Sequence, residues 1–426
     1  MWFICLGRPV FQQQKLNRTC FSQEMVREFI IFIYLFVFKI LFNAFNWLPL
    51  KRKVTFISTF GQNSLSVYEE IKSQKIDCEI VFLCKPSCIQ EFKNINGAKT
   101  IAFETYHIID MIKSAYHIAT SQYIFVDNYY GFLSAVKFKE GVECVQLWHA
   151  AGALKTFGLK DKNILHRSAA AKKRFSNVYQ KFNRVVVGSE AMANIFIEAF
   201  DLPPDRILRT GVPRTDLFFD QDYKRRVTSD LYSENQALKS KKVILYAPTF
   251  RDHELDRFDL KLDLDKMYRE LHDEYVLLLR FHPAVKDRAV NFQEKYPGFV
   301  YDYSGYPNVN DLLFVTDILI SDYSSIPYEF ALLNKPMIFF PYDLKEYRSQ
   351  RGFWEDYEQS VPGPVVYTTD QLVSQIKDHQ FDLNEVALFS KKWNVYSNGH
   401  SSKNLVKYLF EKESSMGLQK RERGTL

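Results

Sequence analysis

The chain has 426 residues, with 56 Lys or Arg against 50 Asp or Glu and a net charge of +6. That length exceeds what one hydrophobic core ordinarily supports, so two domains with a cleft between them are expected. A composition of 46% apolar and 25% charged residues is globular and excludes extensive disorder, and the small basic excess gives no reason to invoke nucleic acid.

Residues 1–24 carry no periodic pattern, and Met25 stands directly before an apolar run, so the first 24 residues read as an extension ahead of the native start. The run FIIFIYLFVFKILF at 29–42 continues through Trp47 and Leu48 to Pro49, before Lys51, Arg52 and Lys53. A spanning helix needs about 20 apolar residues, a length reached here only by including Lys39, Asn43 and Asn46. A helix lying in the membrane interface, held by Trp47 and the basic cluster, is the preferred expectation, with a spanning helix as the alternative. Either way the basic flank assigns the remainder to the cytoplasmic face. No small-residue cleavage site follows, which argues against a secretory signal. The six cysteines (Cys5, Cys20, Cys78, Cys84, Cys88, Cys144) form no CxxC pair, so a reducing compartment fits and no zinc site is indicated.

Apolar, β-rich runs then alternate with helical patterns: VTFISTF at 54–60, EIVFLC at 79–84, SQYIFV at 121–126, VECVQLW at 142–148 and RVVVG at 184–188. Between the last two lies a basic stretch from Lys155 to Arg184, opposed by Asp161 alone and read as a polybasic helix for anionic lipid or a pyrophosphate-bearing substrate, or as a charged surface helix. A polar stretch from Phe219 to Lys241 reads as a linker. A second series follows: KVILYAP at 242–248, YVLLLRF at 275–281, DILIS at 317–321, PMIFFP at 336–341 and PVVYT at 364–368. Continuous apolar strands alternating with helices predict parallel sheets covered on both faces. The expected fold is therefore α/β, two Rossmann-like domains facing across a cleft (GT-B type), behind an N-terminal membrane-associating helix. The boundaries are 1–53 for the extension and helix, 54–225 and 238–412 for the two domains, and 413–426 for a charged tail.

In such sheets ligands bind beyond the carboxyl ends of the strands. His149 follows one strand in a turn of small residues, where its ordinary pKa suits a general base at neutral pH; a structural turn histidine is the plain alternative. Thr249, Arg251 and Asp252 follow the 242–248 strand, and Arg280, His282 and Pro283 follow the 275–281 strand, offering cations for phosphate oxygens and a departing phosphate. Ser321, Asp322, Tyr323, Ser324 and Ser325 lie between a buried strand and a helix whose free N–H groups suit phosphate, with Glu329 one turn in as an acceptor for ribose hydroxyls. Simple N-capping by Ser324 or Ser325 is compatible with that. The DxD strings at Asp220–Asp222 and Asp263–Asp265 begin helical patterns and are read as dipole partners rather than metal ligands; neither a metal nor a cofactor is expected.

QLWHAAGALKTFG at 146–158, VVVGSE at 185–190, RTGVPRTD at 209–216, YAPTFRD at 246–252, RFHP at 280–283 and SDYSSIPYEFALLNKP at 321–336, in this order, resemble the CDP-glycerol glycerophosphotransferase family of wall teichoic acid synthesis, over about residues 54–410. The resemblance implies a nucleotide held by the second domain, and transfer of glycerol phosphate from CDP-glycerol to a lipid-linked acceptor with release of CMP. It implies His149 as the base, with Thr249, Arg251, His282, Ser324, Ser325 and Glu329 on the donor, and Arg214 and Asp216 lining the cleft. Many members have WHG where this chain has WHAAGALK, a departure that resembles the primase branch. Polymerases usually carry a large additional N-terminal region that is missing here. The first transfer, onto an undecaprenyl-diphosphate-linked disaccharide at the cytoplasmic face of the bacterial cell membrane, is the expected reaction. A glycerol- or ribitol-phosphate polymerase, a sugar-nucleotide transferase or epimerase of the same architecture, and a non-catalytic membrane adaptor are the alternatives.

Overall fold

The computed structural model describes residues 17–105, 107–249, 251, 260–281 and 291–411, with side chains from residue 25 onward. The first sheet is made of β1 (Lys51–Ser58), β2 (Glu79–Cys84), β3 (Lys99–Ala102), β4 (Ser121–Val126), β5 (Glu143–Gln146), β6 (Arg184–Val186) and β7 (Ile207–Leu208). Its strands are parallel in the order β3-β2-β1-β4-β5-β6-β7. The second sheet contains β8 (Lys242–Ala247), β9 (Tyr275–Leu279), β10 (Val300–Asp302), β11 (Ile318–Ser321) and β12 (Met337–Phe339), in the order β10-β9-β8-β11-β12. Both orders reverse once, between β1 and β4 and between β8 and β11, and a doubly wound sheet opens its ligand crevice at that reversal.

The central strands are apolar on both faces because helices cover both. In β1, Phe56 lies in register with Phe82 of β2 and Phe125 of β4, each ring stacked 5.0 Å away. One buried apolar cluster runs from the first sheet into the second, joining Ile57, Ile124 and Val185 to Val243, Leu245 and Leu319.

The Asn17–Phe45 helix precedes β1. Phe38 and Phe42 are buried, Phe38 against Phe132 at 5.0 Å, and Phe45 meets Tyr116 edge-on at 5.5 Å. The opposite side carries Met25, Val26, Phe29, Ile30, Phe32, Ile33, Phe36 and Ile40, all exposed. Among the described residues no helix is long and apolar enough to cross a membrane.

Two expectations of organisation need correction. The basic stretch is not one helix: short 3₁₀ turns occupy Gly158–Lys160 and Lys162–His166, and only Ala169–Tyr179 is α-helical, capped by Ser168. Several of its cations are engaged, Arg174 with Glu28 in a two-pronged pair at 2.9 and 3.0 Å, Lys160 with Glu198, and Lys162 with the Arg348 carbonyl. Second, the helix at 401–411 does not pack on the second domain. Leu405, Val406, Leu409 and Phe410, on the helix at 401–411, are buried with Val54, Phe56 and Tyr123 on the outer face of the first sheet. The polar 219–241 stretch is mostly helical (Gln221–Glu234 and Ala237–Ser240), and Asp220 caps its first helix, as Asp263 caps Leu264–Leu271.

Candidate active site

The site is built where the two reversals face each other. After β1 the chain turns through Thr59, Phe60 and Gly61 into the Gln62–Ser73 helix. Asp127, directly after β4 and 1% exposed, accepts the backbone N–H groups of Thr59, Phe60 and Gly61 at 2.9 Å each and the Tyr130 hydroxyl at 2.8 Å. Burial raises the Asp127 pKa, and these hydrogen bonds oppose the rise. Gly61 has φ +86°, and a Cβ there would sit 2.7 Å from the Phe92 ring, so the turn needs glycine on both counts.

His149 follows β5. Its Nδ1 lies 3.1 Å from the Asp127 carbonyl oxygen, an acceptor only, so Nδ1 carries the hydrogen and Nε2 keeps its lone pair. The imidazole is sandwiched between Phe60, at 4.3 Å, and Trp148, at 4.4 Å. Burial lowers its pKa to about 4, with Arg214 and Lys155 adding to the effect and the Asp127 hydrogen bond opposing it. The ring is therefore neutral at pH 7, the form a base requires. Trp148 has φ +59°, an uncommon backbone for a bulky residue. It is held there by its N–H on Gln146 Oε1 at 2.9 Å and by Asn63 Nδ2 on its carbonyl at 2.9 Å.

Across the cleft, Glu329 lies in the Ile326–Phe330 helix after β11 and is 1% exposed. Its Oε1 accepts the Ala151 N–H at 2.9 Å and a hydrogen bond from Arg214, while Oε2 is buried with no partner among the described residues. Arg214 also reaches Gln62 Oε1 at 3.2 Å, and its backbone N–H donates to Asn63 Oδ1 at 2.8 Å. Gln62 Nε2 in turn donates to Asn308 Oδ1 at 2.9 Å. Gly152 permits this closeness, since a Cβ there would lie 2.1 Å from the Tyr328 ring. A backbone clasp closes one side of the cleft, with Lys155 bridged to Phe353 and Thr156 donating to the Arg351 and Gly352 carbonyls.

The remaining expected residues divide by what they touch. Thr249 has a buried hydroxyl with no partner among the described residues, and its N–H donates to Asp322 Oδ1 at 2.7 Å. Ser324 Oγ accepts the Ile326 N–H at 3.2 Å, whereas Ser325 makes no side-chain cap. Ser321 is buried, with its hydroxyl 3.5 Å from the Ala247 carbonyl. Arg251, expected on donor phosphate, is 4% exposed and held by Asp322 at 2.9 Å and by both oxygens of Asp343 at 2.7 and 2.8 Å. Rings of Tyr323, Tyr342 and Tyr347 lie 4.9 to 5.1 Å from it. A guanidinium so enclosed cross-links the loops after β8 and β11, and Asp322 is engaged with it. Asp216, expected to line the cleft, accepts the N–H groups of Ser401 and Ser402 at 2.8 and 2.7 Å, capping the helix that crosses back. His282 and Asp252 lie outside the described residues. Sequence reasoning missed Gln62, Asn63 and Asp127. Asp127 was findable, as a carboxylate ending an apolar strand, but nothing near Asn63 in the sequence points to a turn more than eighty residues away.

Two doubly wound parallel sheets, with His149 on one side of their cleft and the buried Glu329 carboxylate on the other, define the GT-B architecture. The solved structures of the wall teichoic acid polymerase TagF have this fold, with TM-score 0.74 at 23% identity for one that covers 95% of this chain. UDP-GlcNAc 2-epimerase from Neisseria meningitidis is more distant, with TM-score 0.56 at 14% identity and 84% coverage of this chain. The chain belongs to the CDP-glycerol:poly(glycerophosphate) glycerophosphotransferase family, which matches residues 40–411. The teichoic acid glycerol-phosphate primase of Bacillus spizizenii W23 is 37% identical over 91% of this chain and 99% of its own length. The corresponding primase of Bacillus subtilis 168 is 34% identical over 90% and 98%. A teichoic acid poly(ribitol-phosphate) polymerase of B. spizizenii is also 37% identical, over 87% of this chain and 58% of its own length. The expected family, fold class and transferase activity are thus borne out.

Proposed function

We propose that the protein transfers the first glycerol phosphate from CDP-glycerol to an undecaprenyl-diphosphate-linked disaccharide at the cytoplasmic face of the cell membrane, releasing CMP. The observation that carries this reading is His149, neutral and tautomerically fixed with Nε2 free, opposite Glu329 across the cleft. An acceptor hydroxyl gives its proton to Nε2 as its oxygen attacks the donor's glycerol-bearing phosphorus, and the bond to CMP breaks. Phosphoryl transfer asks little covalent chemistry of the protein, so alignment and charge neutralisation do most of the work. The unpartnered Glu329 Oε2 accepts a donor hydroxyl, and the unpartnered Thr249 hydroxyl, with Ser324 and Ser325 at the Ile326–Phe330 helix, meets phosphate oxygens. His282 is assigned to the departing phosphate on the family resemblance.

Identity does not separate primase from polymerase, being 37% to one of each. The match along 98–99% of the primases' own length and the WHAAGALK turn support the primase. The membrane surface is supported by the Asn17–Phe45 helix. A helix apolar all round is ordinarily buried all round, yet this one leaves a whole side uncovered, and the Ile108–Thr120 helix packed against it carries exposed Ile108, Ile109 and Ile112. Exposed Lys39, Lys113, Lys172 and Lys173 supply charge for anionic headgroups.

The test is purified protein with CDP-glycerol and the lipid-linked disaccharide, following CMP and acceptor mass. One added glycerol phosphate is expected. Many units make it a polymerase, and no CMP with any acceptor sinks the reading.

A further inference from the structure

Phe60 is 45% exposed, a large apolar side chain turned to water beside the candidate base. It is not loosely placed. Its backbone N–H is fixed on Asp127 at 2.9 Å, as are those of its two neighbours, and Ser87 Oγ donates to the Thr59 carbonyl at 2.9 Å. The ring lies nearly parallel to the imidazole, at 22°, with centroids 4.3 Å apart. Trp148 occupies the other face of His149. A pinned turn thus holds an aromatic ring partly in solvent at the mouth of a site whose neighbouring strands are otherwise buried.

We infer that Phe60 is the platform for the acceptor, and that what it receives is a pyranose ring. The apolar face of a pyranose is a set of C–H bonds carrying slight positive charge, and an aromatic face carries the complementary negative charge of its quadrupole. The imidazole takes one face of Phe60, so the sugar seats on the face turned away from it, and the acceptor hydroxyl reaches His149 past the edge of the phenyl ring. An acceptor ending in an open-chain polyol phosphate has no such face and gains nothing from the platform. Phe60 is therefore a residue that makes the enzyme prefer a sugar-ended acceptor over a glycerol-phosphate-ended one. This inference rests on the transfer reading given above.

The experiment compares wild type, Phe60→Ala and Phe60→Trp with a sugar-ended and a glycerol-phosphate-ended lipid acceptor. Phe60→Ala is expected to raise KM for the sugar-ended acceptor by about tenfold, leaving KM for CDP-glycerol and for the other acceptor near wild type; Phe60→Trp is expected to retain the preference. If kcat falls equally with both acceptors while neither KM moves, Phe60 acts only as packing for His149 and the inference is overturned. Saturation-transfer NMR with the soluble disaccharide reads the platform without any transfer. Ring-proton contacts present in wild type and lost in Phe60→Ala support it even where CDP-glycerol is not the donor, and equal contacts in both overturn it.

Discussion

His149 owes its readiness to what surrounds it rather than to its residue type. Burial, with Arg214 and Lys155 nearby, lowers its pKa to about 4, below the ordinary value of about 6.5. If His149 is the base, as proposed, it acts when neutral, so activity is fully present above the folded value and is lost as pH falls through it. The acid limb of kcat/KM should therefore fall near pH 4, and a limb near 6.5 would mean that the imidazole is solvated in the free enzyme. His149→Ala should cost about 10²- to 10⁴-fold in CMP release while leaving the Asp127 turn intact, because that turn depends on the Asp127 carboxylate and not on its carbonyl. Legibility at this scale was uneven. His149 and Glu329 stand out because each follows a buried strand. Arg251 stands in the same kind of place, yet two carboxylates and three tyrosines enclose it, and Asp343 comes from a segment that no local pattern links to β8.

Among elements, the long apolar strands were readable and most edge strands were not, β12 being the edge strand that was read. β1, β2, β4, β8 and β9 are continuous apolar runs that fill the sheet centres. β3, β7 and β10 are short strands at or near an edge, and two of them are partly exposed, so KTIA, IL and VYD offered no run to read. PVVYT was read as a strand but contributes only a bridge from Val365 to Phe339, because Pro364 has no N–H to donate. The Asn17–Phe45 helix was legible as an apolar helix from its composition, and the structure adds which side is uncovered. Replacing Phe29, Ile33 and Phe36 together with Asp should abolish cosedimentation with anionic vesicles while leaving thermal unfolding nearly unchanged, since all three are exposed. Retained vesicle binding would move the membrane surface elsewhere on the molecule.

For the molecule as a whole, the crossing helix at 401–411 makes the first sheet dependent on residues from the far side of the second. Leu405 is fully buried, and Leu405→Ala should cost about 2–5 kcal/mol. Hydrogen exchange should then show lost protection in β1 and β4 before β8 and β9; the opposite order would place the helix's main contribution in the second sheet. The sequence reading closed the second domain with this helix because amphipathic periodicity says that a face is buried, not which sheet buries it. The crossing also orders events during synthesis. The uncovered apolar helix leaves the ribosome before either sheet, while the outer layer of the first sheet stays open until the residues that seal it have been made, long after β1. A nascent chain of this kind presents an exposed apolar surface before it has a finished core, and if that surface binds lipid as proposed, a bilayer near the ribosome would also shelter the young chain from aggregation.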